Sequence, residues 1–270
     1  MKKFMSLALA AFAACTTLAL ASCGNNTKYV ATDIASESNE EYAFAIGKDA
    51  TKKTEILAAM DKVIGEISID DIVDYYTAID AGETPSVSLT FADLSDNTGN
   101  TLQVYTNAEF APFEFRDESN KIVGVDMYIM ELVAEELNMK INFNDIAFDA
   151  IVGKVAAEDN AIGAAGMTVT EERLLEVDFS STYFSTVQSI ISTEEEAFAS
   201  LEDLKGKKIG VQKGTTGWLL IDEAITSGVL KDTGAEVITY ENGAVAYTAL
   251  KQGKCDVVVI DKLPANKLVK

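Results

Sequence analysis

The chain of 270 residues contains no histidine. That removes the commonest transition-metal ligand and every histidine-based activation of a nucleophile. Its three cysteines do not form a cluster. Cys15 and Cys23 lie near the N-terminus, and Cys255 stands alone in the apolar run 255–260. Cys255 therefore reads as a buried core thiol, and no disulfide is expected within the mature chain. No metal and no cofactor is expected. Basic residues are scarce as well: 22 Lys and Arg against 43 Asp and Glu leave a net charge of −21. Such a surface repels a phosphate backbone, which argues against a nucleic-acid partner. Beyond the first residues, no apolar run approaches the ~20 residues of a membrane span.

The N-terminus reads as a processing segment. Lys2 and Lys3 precede an apolar stretch over 7–20, followed by Leu20-Ala21-Ser22-Cys23-Gly24. A segment this short, closing on small residues, predicts a secretory signal over 1–22. The Leu-Ala-Ser-Cys run resembles the lipobox of bacterial lipoproteins. That resemblance makes Cys23 the lipidated first residue, with 23–27 as its tether. Two acyl chains would hold the domain at a membrane face, extracytoplasmically.

The remainder alternates strands and helices. Strands are expected at 101–106 (TLQVYT), 140–143, 161–167 and 185–192, and helices at 126–138 and 148–157. Asn138 is the expected C-terminal cap of the first helix. The pattern then restarts with strands at 208–212, 236–240 and 255–261 and helices at 218–227 and 244–252. Alternation of this kind predicts parallel sheets with right-handed crossovers. Two series imply two lobes with a cleft between them. Ligands of open α/β sheets bind beyond the carboxyl ends of the strands, which directs attention to the loops after 104, 165, 211 and 260. Residues 83–100 (ETPSVSLTFADLSDNTGN) read as a linker. Val87, Leu89 and Phe91 alternate, so part of it could lie along the surface as a strand.

Several loop residues carry candidate chemistry. Gly166 to Arg173 reads GMTVTEER. Thr170 suits an N-cap, but Arg173 does not suit a first helical turn. Either it grips an anion through two parallel hydrogen bonds, or it pairs at the surface with Glu172 or Glu176. Gln212-Lys213-Gly214-Thr215-Thr216-Gly217 joins a strand to a helix. It is either a place where backbone N–H groups meet an anion or an ordinary turn. Asp261 ends the apolar run 255–260 and either receives an ammonium or caps the next helix. Asn107 has the same two readings. Phe110, Phe113, Phe115 and Phe148 are core residues or pocket walls.

These segments, taken in order, identify a family. Residues 104–115 (VYTNAEFAPFEF), Gly124-Val125-Asp126, 165–173, Val177-Asp178-Phe179-Ser180, 201–217 (LEDLKGKKIGVQKGTTG) and 256–261 resemble the amino-acid-binding proteins of bacterial ABC importers. The resemblance implies a two-lobed α/β fold of the periplasmic-binding-protein type II. It implies that Arg173 clamps a ligand carboxylate with help from Thr168 and the N–H groups near Thr168 and Thr216. Asp261 and the Gly166 carbonyl take the ammonium, and Phe110 and Phe148 pack the ligand. Gln212 and Thr215 belong to the same set. Asn107 stands where many members have Asp. Trp218 is unusual there and either narrows the pocket or covers the lobe.

The family's closing strand, hinge and helices are expected at the front of this chain. Residues 28–35 and 41–48 (EYAFAIGK) resemble the hinge and strand, and 51–67 and 68–78 the helices. The chain therefore reads as circularly permuted. The first lobe is expected at 40–82 and 101–192, the second at 28–39 and 193–270, with 83–100 joining the original ends. The implied function is a lipid-anchored, monomeric carrier of a free amino acid to an ABC transporter permease. A few relatives of the fold are dehydratases, which leaves an enzyme as an alternative, with Lys213 and Glu109 as the nearest acid–base groups. A ligand-sensing receptor domain and a segment-swapped assembly are further alternatives.

Overall fold

The run VVVID lacks polar alternation, and such a strand is stable only with both faces covered. In the computed structural model, which describes residues 27–34 and 39–270, it forms Val257–Asp261, buried throughout, at the centre of a five-stranded sheet. The order is Tyr29–Asp33, Gln188–Thr193, Val257–Asp261, Lys208–Gln212, Glu236–Tyr240. The last three are parallel, with Thr216–Thr226 and Gly243–Lys251 as crossover helices. The first two are added antiparallel. The expected signal, Cys23 and most of its tether lie outside the described residues.

A second five-stranded sheet has the order Val177–Phe179, Ala45–Gly47, Ile162–Gly163, Thr101–Thr106, Lys140–Asp145. Here Thr101–Thr106 is parallel to both neighbours, and Ala45–Gly47 is antiparallel to both of its own. Helices Lys53–Glu66 and Ile69–Asp80 pack on helix Val125–Glu136. Ile56, Met60, Ile72, Ile129 and Met130 meet there, buried. Each such side chain contributes roughly 1.5–3 kcal/mol by leaving water. The segment before the linker thus supplies an outer strand of one sheet, an inner strand of the other and two helices of its core.

The two lobes are joined by a ribbon, Glu40–Tyr42 paired antiparallel with Phe184–Thr186. The single strand expected at 185–192 therefore breaks at Val187. Gln188 through Ile191 pair with Val258 through Asp261 and belong to the second lobe. This moves the expected lobe boundary from 192 back to the ribbon.

Three other expectations are corrected. The strand over 161–167 shrinks to Ile162–Gly163. Gly166, at φ 51°, bends the chain so that its N–H donates to Asp126 Oδ2 at 2.9 Å. The helix at 148 opens as a 3₁₀ turn, Phe148–Ala150. The linker forms no strand, and its last polar groups bond to a helix end. Asn97 Nδ2 donates to Ala134 O at 3.2 Å and Met139 O at 2.7 Å. Phe91 lies edge-on against Tyr75 and Tyr128. Asn138 adopts φ 50°, the left-handed conformation expected of a helix-ending residue.

Candidate functional site

All the residues expected to bind ligand line one cavity. The first lobe contributes Asn107, just after Thr101–Thr106, together with Phe110, Phe148, Gly166, Thr168 and Arg173. The second contributes Gln212 and Asp261 from the ends of two parallel strands, and Thr215 and Thr216 from the start of a helix. The strand-end rule locates the site because crossover loops of both sheets open toward the same gap.

Arg173 opens a 3₁₀ turn, Arg173–Leu175, rather than an α-helix. It is only 8% exposed, which excludes the surface pairing with Glu172 or Glu176. One terminal nitrogen donates to Thr168 O at 2.6 Å and the other to Gly214 O at 3.1 Å. The guanidinium lies 5.3 Å from the centre of the Phe148 ring. Burial lowers its pKa, and the carboxylates of Glu40 and Asp261 oppose that shift. Carbonyl partners leave its full positive charge available for an anion.

Asp261 accepts a hydrogen bond from Gln188 Nε2 at 3.0 Å and makes no side-chain bond to the helix Lys262–Val269 that follows. The helix-cap alternative is thereby set aside. Burial, reinforced by the nearby Glu40, raises its pKa from 3.8 to about 7. Thr168 Oγ1 donates to Glu40 Oε2 at 2.5 Å, and Gln188 Nε2 to Glu40 Oε1 at 3.1 Å. Glu40 therefore touches both lobes from the connecting ribbon.

Thr215 caps helix Thr216–Thr226 by accepting from Trp218 N at 3.2 Å, and donates to Gln212 O at 2.9 Å. The helix N-terminus with its free N–H groups faces the cavity, which favours an anion there. The lobes also touch directly. Gln212 Nε2 donates to Asn107 Oδ1 at 3.0 Å, and Lys213 Nζ lies 2.7 Å from Asp149 Oδ2.

Other candidates fall elsewhere. Phe113 and Phe115 are buried in the first lobe's core, and Trp218 packs into the second lobe's core. Lys213 and Glu109 do not line the cavity. Two lining residues escaped sequence reasoning, Glu114 and Ala165. Glu114 is wholly buried, and neither carboxylate oxygen has a hydrogen-bond partner among the described residues. Burial pushes its pKa well above the ordinary carboxylate range, and Asp126 and Asp261 push it further. The available signal was an acidic residue inside an aromatic run, Phe-Ala-Pro-Phe-Glu-Phe.

A buried cation, a buried carboxylate and a helix N-terminus around one small cavity suit a ligand that carries both signs of charge. Residues 102–227 match the model of the bacterial extracellular solute-binding proteins, family 3. A probable histidine-binding protein of Neisseria gonorrhoeae is 31% identical over 175 residues, which is 64% of this chain and 63% of that protein. The chain thus spans less than two thirds of that relative's length. An ancestral arginine-binding protein bound to arginine superposes with a TM-score of 0.56 at 40% identity, over 64% of this chain and 74% of its own. The ancestral amino acid-binding protein AncCDT-1, a precursor of cyclohexadienyl dehydratase, superposes with a TM-score of 0.55 at 33% identity, over 61% and 72%. With its two-lobed α/β fold and charged cleft, the chain belongs to the bacterial extracellular solute-binding proteins of family 3.

Proposed function

We propose that this chain binds one free amino acid between its lobes and delivers it to the permease of an ABC transporter. The observation that carries the reading is the pairing of buried Arg173 and buried Asp261 on one cavity. Arg173, Thr168 and the N–H groups at Thr216 hold the α-carboxylate. Asp261 and the Gly166 carbonyl hold the α-ammonium, and Phe110 and Phe148 pack the remainder. Gln212, Thr215 and Asn107 complete the walls. The protein is a monomeric carrier and not an enzyme, held outside the cytoplasm by acyl chains on Cys23. A thermal-shift screen against the twenty amino acids tests this. A ligand at about 100 times its Kd adds about 2.7 kcal/mol of stability. No shift with any of them would overturn the reading.

We further propose that the chain is circularly permuted, with 83–100 joining the original ends. Support comes from the segment before the linker, which pairs with strands far along the sequence in both sheets. A permuted chain aligns with an unpermuted relative over one stretch only, in keeping with the partial coverage. Moving residues 27–82 behind Lys270 is expected to yield a folded, ligand-binding protein, and deleting them an insoluble one. A deletion variant that folds and binds as the parent does would refute the permutation.

A further inference from the structure

We propose that the ligand is an amino acid with a cationic side chain, and that Glu114 receives that charge. The inference rests on the amino-acid reading above. It starts from an imbalance among the buried carboxylates. Asp126 accepts from Tyr183 Oη at 2.5 Å and from Gly166 N at 2.9 Å. Asp261 accepts from Gln188, and Glu40 from Thr168 and Gln188. Glu114, by contrast, lines the cavity with both oxygens unpartnered. A buried carboxylate in that state is costly, and a cation or a set of N–H donors relieves it.

Among the described residues, none around Glu114 supplies them. Its neighbour Arg116, two positions on, pairs with Asp145 at 2.8 Å and is exposed. From the helix Val125–Glu136 comes Asp126, and from the second lobe Asp261, both acidic. The ribbon adds a further acid, Glu40, while Tyr42 on it and Tyr183 beside it are neutral phenols kept so by burial. The cation of the cavity wall is Arg173.

Charge counting then selects the ligand class. The wall carries one cation, Arg173, and two acidic side chains, Glu114 and Asp261; burial favours the neutral form of Glu114 until a cation faces it. A zwitterion pairs its carboxylate with Arg173 and its ammonium with Asp261, and Glu114 is left neutral and without a hydrogen-bond partner. A cationic side chain supplies the missing partner. A guanidinium does so with two parallel N–H donors for the two free oxygens. Phe110 and Phe148 offer ring faces that tolerate a flat cation. An acidic side chain would face Glu114, Asp126 and Asp261 together and is excluded.

Titration calorimetry of the whole chain with L-arginine and L-citrulline tests the inference. The two side chains have nearly the same shape and differ in charge. Arginine is expected to bind about 100-fold more tightly, the scale set by losing one partner of a buried charge pair. In Glu114→Gln that preference should collapse to within about threefold, as the charge pair is lost while the shape is kept. Equal or tighter binding of citrulline by the unaltered protein would overturn the inference. So would a preference that survives in a folded Glu114→Gln. If that variant does not fold, the ratio in the unaltered protein decides. Tight binding of a neutral amino acid that still requires Arg173 would defeat this inference alone. Binding of no amino acid at all would defeat the parent reading with it.

Discussion

Replacing Arg173 by alanine is expected to remove ligand binding while sparing the fold. The side chain is buried, and its two hydrogen bonds run to backbone carbonyls of opposite lobes, Thr168 O and Gly214 O. In the complex, the truncation strands the ligand carboxylate in a site that excludes water. Removing one partner of a buried, hydrogen-bonded charge pair costs about 2–5 kcal/mol. At about 1.4 kcal/mol per tenfold, affinity should fall between about 30-fold and several thousand-fold. The unliganded protein loses less. The two carbonyls can turn to water, and Glu40 and Asp261 lose a favourable neighbour. A change of about 1 kcal/mol corresponds to about 2–4 °C in a protein of this size. Calorimetry gives the affinity, and a melting curve without ligand gives the stability. Affinity within threefold of the parent would refute the carboxylate clamp. A melting temperature lower by 10 °C or more, on that same scale, would show that Arg173 holds the fold rather than the ligand.

The unliganded chain should be more stable near pH 5 than near pH 8. Asp126 and Asp261 both titrate at about 7 against an ordinary 3.8, because each is buried. The folded state therefore holds protons that the unfolded chain releases. The associated stability is full below about pH 4 and is lost as pH rises through 7, by up to about 4 kcal/mol for one such group. Asp33 and Asp178, shifted downward, oppose this only at acid pH. Melting temperatures that rise from pH 5 to pH 8 would contradict the burial argument. Gly166→Ala should weaken binding about tenfold or more and destabilise by about 1–2 kcal/mol. Its Cβ would sit 2.8 Å from Phe110 Cε1, at a backbone angle disfavoured for alanine; calorimetry and melting curves measure the two effects. Trp218→Ala should lower stability by about 1–3 kcal/mol and leave affinity unchanged. A weakened Kd there would return this residue to the pocket wall.

The parts of the fold that were legible in the sequence are those set by local pattern. Apolar periodicity located the helices at 125–136 and 243–251, and the polar-free run VVVID announced a doubly covered strand. Strand ends with Gly, Thr, Arg and Asp pointed to one cleft, because backbone topology decides where such ends meet. What depended on distant packing was hidden. Glu114 alternates with Phe113 and Phe115, as an exposed strand position would, yet the cavity lies on its side of the pleat. Glu40 reads as one of many surface acids until the ribbon carries it between the lobes. The break at Val187 carries no turn signal; it follows from the pairing of Gln188 through Ile191 with the distant strand Val258 through Asp261.

The contacts of Asn97 bear on how the linker can be engineered. A spacer that merely bridged two ends could be exchanged for any flexible chain of equal reach. This one ends a helix. Its asparagine amide occupies the carbonyls of Ala134 and Met139, and Gly99 donates to Asn138 O at 2.9 Å. At Gly99 a side chain would meet that same oxygen, so only glycine fits without displacement. Insertions belong in the first half of 83–100, where the chain lies on aromatic rings, and residues 97–99 should be kept in any rearranged gene, whichever end of the protein they come to occupy.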